Sequence, residues 1–194
     1  TWMSLGITTD SDLKINNCPL QFLELEMKKL KVMGQEFELK NERKSENGHF
    51  RIADIQLIPS ELEALPDKLS GRPFPGVNID AVPLFTPILT QAEGETLVHD
   101  WCYENRAVYY LELKKMGADV ILMDPHRAMI KGKTELFGNE VIAPPAIRPA
   151  MAILIGMIAA EGESVLRNIY PIQRAYENLI DRLDDIGVDI KLKE

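Results

Sequence analysis

Three stretches of this chain repeat one pattern around a glycine. One residue before Gly34, Gly117 and Gly187 stand Met33, Met116 and Ile186; four before stand Leu30, Leu113 and Leu183; seven before stand Met27, Tyr110 and Ile180. Two residues after each glycine comes an acid: Glu36, Asp119 or Asp189. Three and five after come apolar pairs: Phe37 and Leu39, Val120 and Leu122, Ile190 and Leu192. Apolar residues three to four apart give a helix one buried stripe. A glycine just past the last turn takes the left-handed backbone that closes a helix. Apolar residues two apart then place a strand with one face on that helix. Agreement at so many offsets, with the period changing at the same point each time, marks an internal repeat, and a repeat fixes the architecture before any single element does.

The remaining elements fit three copies, with units over about 1–72, 73–142 and 143–194 in one 194-residue domain. Each unit pairs a wholly apolar helix with an amphipathic one. The apolar helices are predicted over Pro83–Ala92 and Arg148–Ala160, and residues 1–7 read as the tail of a third, so the chain is expected to begin partway through a longer protein. A helix without a polar face belongs inside a domain. The amphipathic helices run from Leu20 to Gly34 behind Pro19, from Glu104 to Met116, and up to Gly187. Strands are predicted around Leu13–Ile15, Glu36–Leu39, His49–Ile52 after an Asn47-Gly48 turn, Glu95–His99, Asp119–Met123, Ala128–Lys131, Glu140–Ile142 and Val188–Leu192. Pro59–Glu63 reads as one helical turn. The fold class is α/β (α+β), three units about a pseudo-threefold axis with helices inside and sheets outside, since each layer must cover the other's apolar face.

Charge and composition narrow the function. Net charge is −8 and no block of Lys or Arg stands out, which argues against a general nucleic-acid binder. The longest apolar run, Ala150–Ala160, is shorter than the roughly 20 residues a membrane span needs. Two cysteines, Cys18 and Cys102, cannot make a disulfide framework and fit a reducing compartment. No phosphate-binding glycine loop, metal-ligand spacing or Ser/His/Asp order is present, and His49, His99 and His126 are scattered through turns and strand ends.

Four polar positions stand out. Asp80 follows the Arg72-Pro73-Phe74-Pro75-Gly76 loop and precedes an apolar helix. A carboxylate there complements the helix dipole, or serves as a general base at the mouth of a site. Glu104-Asn105-Arg106 heads an amphipathic helix, where an acid is ordinary capping. Arg148 sits before a wholly apolar helix, and Arg174 is expected to open the last helix, where the dipole disfavours a cation and an anionic partner is implied.

These residues, with Phe74–Asp80, Ala92–Thr96, Glu104–Arg106, Glu112–Asp119, Ala159–Glu163 and Ile169–Glu177, resemble the enolpyruvyl transferases over nearly the whole chain. The similarity is greatest to the members that act on UDP-N-acetylglucosamine. It implies a cytoplasmic two-domain enzyme of six such units, three per domain, with helices inside and sheets outside. Such an enzyme moves the enolpyruvyl group of phosphoenolpyruvate to the sugar 3-hydroxyl in a cleft between domains, without metal or cofactor, in making cell-wall precursor. This chain resembles the domain containing the C-terminus; the N-terminal domain is its implied partner, and the isolated chain is expected to be inactive. By the same resemblance Asp80 receives the hydroxyl proton, Cys102 and Tyr103 lie beside the sugar nucleotide, Glu104 and Arg106 order that wall, Arg174 faces phosphoenolpyruvate, and Arg148 takes the place of another family arginine. Three positions depart from the pattern. No acid occurs in Ala143–Arg148, where the family carries one; Ile79 replaces a threonine and Gln173 an aspartate. The lost acid keeps open a diverged enzyme, or a non-catalytic domain that binds a nucleotide sugar or a protein partner.

Overall fold

The computed structural model describes residues 1–104 and 109–193. Three helices form its centre: α1 (Trp2–Thr8), α3 (Val82–Thr90) and α5 (Ile147–Ala159). They pack against one another pairwise. Most of α3 and the stretch Pro149–Met157 of α5 are buried, as helices without a polar face require.

Two prolines inside α3 show how such a helix keeps its backbone satisfied. Pro87 has no N–H for the carbonyl of Pro83, and the buried Thr86 hydroxyl donates to that carbonyl instead, at 2.7 Å. One turn later Thr90 does the same for Pro87, also at 2.7 Å. A buried carbonyl left without a donor costs about 1–3 kcal/mol, so each threonine matters more than its size implies.

Around this centre lie three amphipathic helices and three sheets. The helices are α2 (Glu24–Val32), α4 (Tyr110–Lys115) and α7 (Leu179–Asp184). The first sheet orders β1 (Lys14–Pro19), β3 (Arg51–Ile58) and β2 (Glu36–Lys44), all antiparallel. The second orders β4 (Leu69–Ser70), β5 (Gly94–His99), β7 (Arg127–Gly132) and β6 (Asp119–Asp124). The third pairs β8 (Glu140–Ile142) with β9 (Val165–Arg167) in parallel. A single turn of helix, α6 (Tyr170–Gln173), precedes α7.

The glycine repeat of the sequence reappears as one piece of geometry. Gly34, Gly117 and Gly187 have φ of +90°, +100° and +91°. Their N–H groups donate to Lys31, Lys114 and Asp184 at 3.0, 3.1 and 2.8 Å. The next residues, Gln35, Ala118 and Val188, donate to Leu30, Leu113 and Leu183 at 3.0, 3.2 and 3.0 Å. That pair of bonds is the Schellman closure, which only glycine makes without steric cost. The first two joints also share their surroundings. A side chain at Gly34 would come within 2.9 Å of the Glu61 carbonyl, and one at Gly117 within 2.8 Å of the Glu135 carbonyl.

Segments on either side of the expected unit boundaries are joined through their backbones. Glu63 N–H donates to Met33, while Ala64 and Glu93 lace the end of the first unit to the start of the second at 2.8 and 2.7 Å. Phe137, Gly138 and Glu161 repeat the arrangement one unit on, at 2.8, 2.7 and 2.8 Å. β4 pairs in parallel with β5 of the following unit.

Several expectations are corrected. Pro59–Glu63 forms no helical turn, because the Ser60 N–H donates to Asp10 Oδ1, the Leu62 carbonyl accepts from Glu93 and the Glu63 N–H donates to Met33. Pro19 ends β1 and caps a 3-10 turn, Leu20–Phe22, so α2 starts only at Glu24. Glu104 lies in a turn and the described helix α4 starts at Tyr110, so Glu104 does not head it. No strand forms over 188–192. β2 and β6 each ladder onto a neighbouring strand, and among the described residues none pairs with 188–192.

Candidate functional site

The first turns of α1, α3 and α5 meet at one face. The Ser4 hydroxyl of α1 donates to the Leu84 carbonyl of α3 at 2.5 Å. Tyr176 joins α1 to α5: its hydroxyl lies 3.0 Å from the Thr1 hydroxyl and accepts from Arg148 Nη1 at 2.8 Å. Helix N-termini present unpaired N–H groups and a partial positive charge, so this face favours anions.

Asp80 stands on that face, exposed, two residues before α3. Its own N–H donates to Asn78 Oδ1 at 2.9 Å, and the Ala81 N–H donates to the Asn78 carbonyl at 2.9 Å. This Asx turn sets the direction in which the chain enters the helix. The loop behind it is braced three ways. Arg72 N–H donates to Val77 at 2.9 Å, Asn78 N–H to Glu26 Oε1 at 3.3 Å, and the Trp101 indole N–H to the Gly71 carbonyl at 2.7 Å. The last bond matters most for the site. It ties the segment carrying Cys102, Tyr103 and Glu104, all exposed, to the loop carrying Asp80. Arg106 lies outside the described residues.

Arg148 is half-buried at the second position of α5. A cation at a helix N-terminus is disfavoured by the dipole. Tyr176 compensates by accepting its hydrogen bond and by placing its ring 5.7 Å from the guanidinium. That partner is neutral, and no described carboxylate is ion-paired with Arg148. Arg174 follows α6 as its cap residue, exposed, 6.0 Å from the Tyr170 ring. It does not open the last helix: a cation at the C-terminal end of a helix is favoured by the dipole, so that argument for an anionic partner falls away. The link between the arginines is Tyr176, two residues after Arg174 and bonded to Arg148.

Sequence reasoning missed two side chains of this face, Trp101 and Tyr176. Their signal was present as aromatic residues with a polar edge, immediately beside candidate site residues. Cys18 is buried, and burial, then Asp54, pushes its thiol up, as expected of a packing residue. Among the described residues no three His, Cys, Asp or Glu side chains gather closely enough to hold a metal. No described helix is long and apolar enough to cross a membrane.

The family model for EPSP synthase (3-phosphoshikimate 1-carboxyvinyltransferase) matches residues 1–183. The chain belongs to the enolpyruvyl transferase family. Among enolpyruvyl transferases of known name, it is 42% identical to the UDP-N-acetylglucosamine 1-carboxyvinyltransferase of Treponema denticola over 137 residues, 71% of this chain and 32% of that protein. The enzyme of the same name from Borreliella burgdorferi is 32% identical over 97% of this chain and 43% of its own length. The chain thus spans less than half of these relatives. Among solved structures, the enolpyruvyl transferase NikO from Streptomyces tendae superposes with a TM-score of 0.79 at 22% identity, over 98% of this chain and 43% of NikO. EPSP synthase from Acinetobacter baumannii does so at 0.75 and 19%, over 99% of this chain and 47% of its own. Both share the enolpyruvyl transferase fold with this chain.

Proposed function

We propose that this chain is one wall of an enolpyruvyl transferase site, acting with a second domain on UDP-N-acetylglucosamine and phosphoenolpyruvate in cell-wall precursor synthesis in the cytoplasm. The carrying observation is the meeting of three helix N-termini on the face that holds Asp80 and Arg148. In this reading the 194 residues form a single domain, an inside-out α/β barrel of three pseudo-threefold units. Its relatives' names supply the substrates, and their greater length leaves room for the opposite wall.

The chemistry follows from the residue types. The sugar 3-hydroxyl oxygen attacks C2 of phosphoenolpyruvate, forming a C–O bond, and inorganic phosphate leaves. Asp80 takes the hydroxyl proton. Arg174 and Arg148 neutralise the carboxylate and phosphate of phosphoenolpyruvate, helped by the helix N-termini. Cys102, Tyr103 and Glu104 flank the sugar nucleotide, with Arg106 on the same wall. C3 gains a proton as the C–O bond forms and gives one up again as phosphate departs and the double bond is restored, and the group that exchanges that proton comes from the other domain. The isolated chain is therefore inactive.

One observation favours a second reading, a diverged or non-catalytic binding domain. The residues leading into α5 carry no carboxylate, and the partner of Arg148 is a tyrosine. Phosphate release by the full-length gene product separates the two. The transferase reading expects release that needs both substrates, with kcat lowered about 10²- to 10⁴-fold by Asp80→Asn. Full activity in that variant removes Asp80 from the chemistry, and no phosphate release with both substrates present leaves the binding domain.

A further inference from the structure

A separate hollow lies behind the loop that leads to Asp80 and shares Arg72 and Val77 with it. A pocket of about 410 Å³ opens between α2 and the segment 67–77. Its size falls within the range of small-molecule sites. Lys29, Lys68 and Arg72 line it, against a single carboxylate, Asp67. None of the three cations is held by a carboxylate among the described residues. Some cations elsewhere on the surface do have such partners. Lys28, the neighbour of Lys29, pairs with Glu24 at 2.9 Å; Lys115 pairs with Glu112 at 2.8 Å; Arg127 pairs with Asp124 at 2.6 Å. Arg148, Arg174 and others likewise have no carboxylate partner among the described residues; what marks this hollow is that three cations line it against one carboxylate in a chain of net charge −8.

The wall is not only charged. Leu25, half-buried, and Val77, buried, also line the pocket and give it an apolar side. Cations on one side and aliphatic carbon on the other suit a phosphate carried on an organic group better than a free ion. We infer that Lys29, Lys68 and Arg72 form a binding site for a small organic phosphate ester, at the base of the loop that ends in Asp80. Arg72 belongs to both features: its N–H closes the loop onto Val77, and its side chain faces the pocket.

Phenyl phosphate is a suitable probe, because it joins the phosphate to one apolar ring. Calorimetric titration of the 194-residue chain is expected to give one saturable site, tighter for phenyl phosphate than for inorganic phosphate. The Lys29→Gln/Arg72→Gln variant is expected to bind about tenfold or more weakly, since it loses two charge-assisted contacts. Circular dichroism verifies that this variant folds; neither position is in the core. Amide shifts of Ser70 and Val77 in the unaltered chain locate the site without any substitution. The inference is overturned by no saturation up to about 10 mM, an affinity corresponding to less than about 3 kcal/mol of binding. Equal affinity for inorganic phosphate also overturns it, as does binding that survives the double variant and disappears with Arg174→Gln.

Discussion

The contact between Leu113 and Gly156 gives a sharp test of how an amphipathic helix seats on a buried one. Leu113 of α4 is wholly buried, and a Cβ at Gly156 of α5 would lie 3.0 Å from its Cδ2. Leu113→Ala removes that methyl group and opens a cavity beside α5; such truncations cost about 3–5 kcal/mol. Gly156→Ala alone meets two opposed terms. It gains about 1 kcal/mol of helix propensity. It also crowds a side chain that has no free space to retreat into, costing about 1–3 kcal/mol. The net is a loss of about 1 kcal/mol. With Leu113 already shortened the crowding is gone, and the added methyl fills part of the cavity, so Gly156→Ala should then stabilise by about 1–2 kcal/mol. The two changes should therefore couple by about 2 kcal/mol. Urea unfolding of the four chains measures this directly. Additivity within about 0.5 kcal/mol would show that the two side chains do not share a space, and would refute the packing of α4 on α5.

Three further outcomes are expected. Gly132→Ala drives a Cβ into the Ala92 carbonyl oxygen and places it 2.8 Å from that of Leu89, which are backbone atoms, so a loss of about 2 kcal/mol or more should appear in the same urea assay. Asp54 is held down to about 2 by the Asn41 side-chain amide, the Asn17 N–H and Arg43. A depressed carboxyl stabilises the fold above its unfolded pKa of about 3.9 and loses that contribution as pH falls towards 2. The melting temperature of Asp54→Asn should therefore change less between those pH values than that of the unaltered chain. His99 titrates below its ordinary value, chiefly through burial and next through Lys68, so Lys68→Gln should raise its pKa in an NMR titration. The fold prefers neutral His99, so it loses stability as pH falls below about 6.5, and the variant should lose less.

The parts of this fold legible in the sequence were those with a local cause. Gly34, Gly117 and Gly187 announced their helix ends because a left-handed residue there has few alternatives. α3 and α5 were legible because a helix without a polar face has only one place to go. The errors came where distant partners decide. Pro59–Glu63 looks helical by composition, yet its Ser60 N–H goes to Asp10 Oδ1, its Leu62 carbonyl to the Glu93 N–H and its Glu63 N–H to the Met33 carbonyl. Val188–Leu192 alternates like a strand, but a strand needs a ladder, and none is supplied. For the site, position along the chain put Asp80 before α3 and Arg148 at the start of α5 but misplaced Arg174, whose relation to a helix end depends on where α6 stops. Tyr176 and Trp101 could not be assigned, because their roles lie in hydrogen bonds to residues 28 and 30 positions away in sequence.

The backbone lacing between successive units limits how such a chain can be rearranged. Glu63 and Ala64 belong by sequence to the first unit, but their hydrogen bonds go partly to Glu93 of the second; Phe137 and Gly138 stand in the same relation to Glu161. A copy excised at the obvious loops would leave with its stitching torn out, and its neighbour would be left with a raw strand edge. Shuffling or grafting one copy therefore requires a seam that moves the connecting strand along with the unit it clasps, not with the unit it follows.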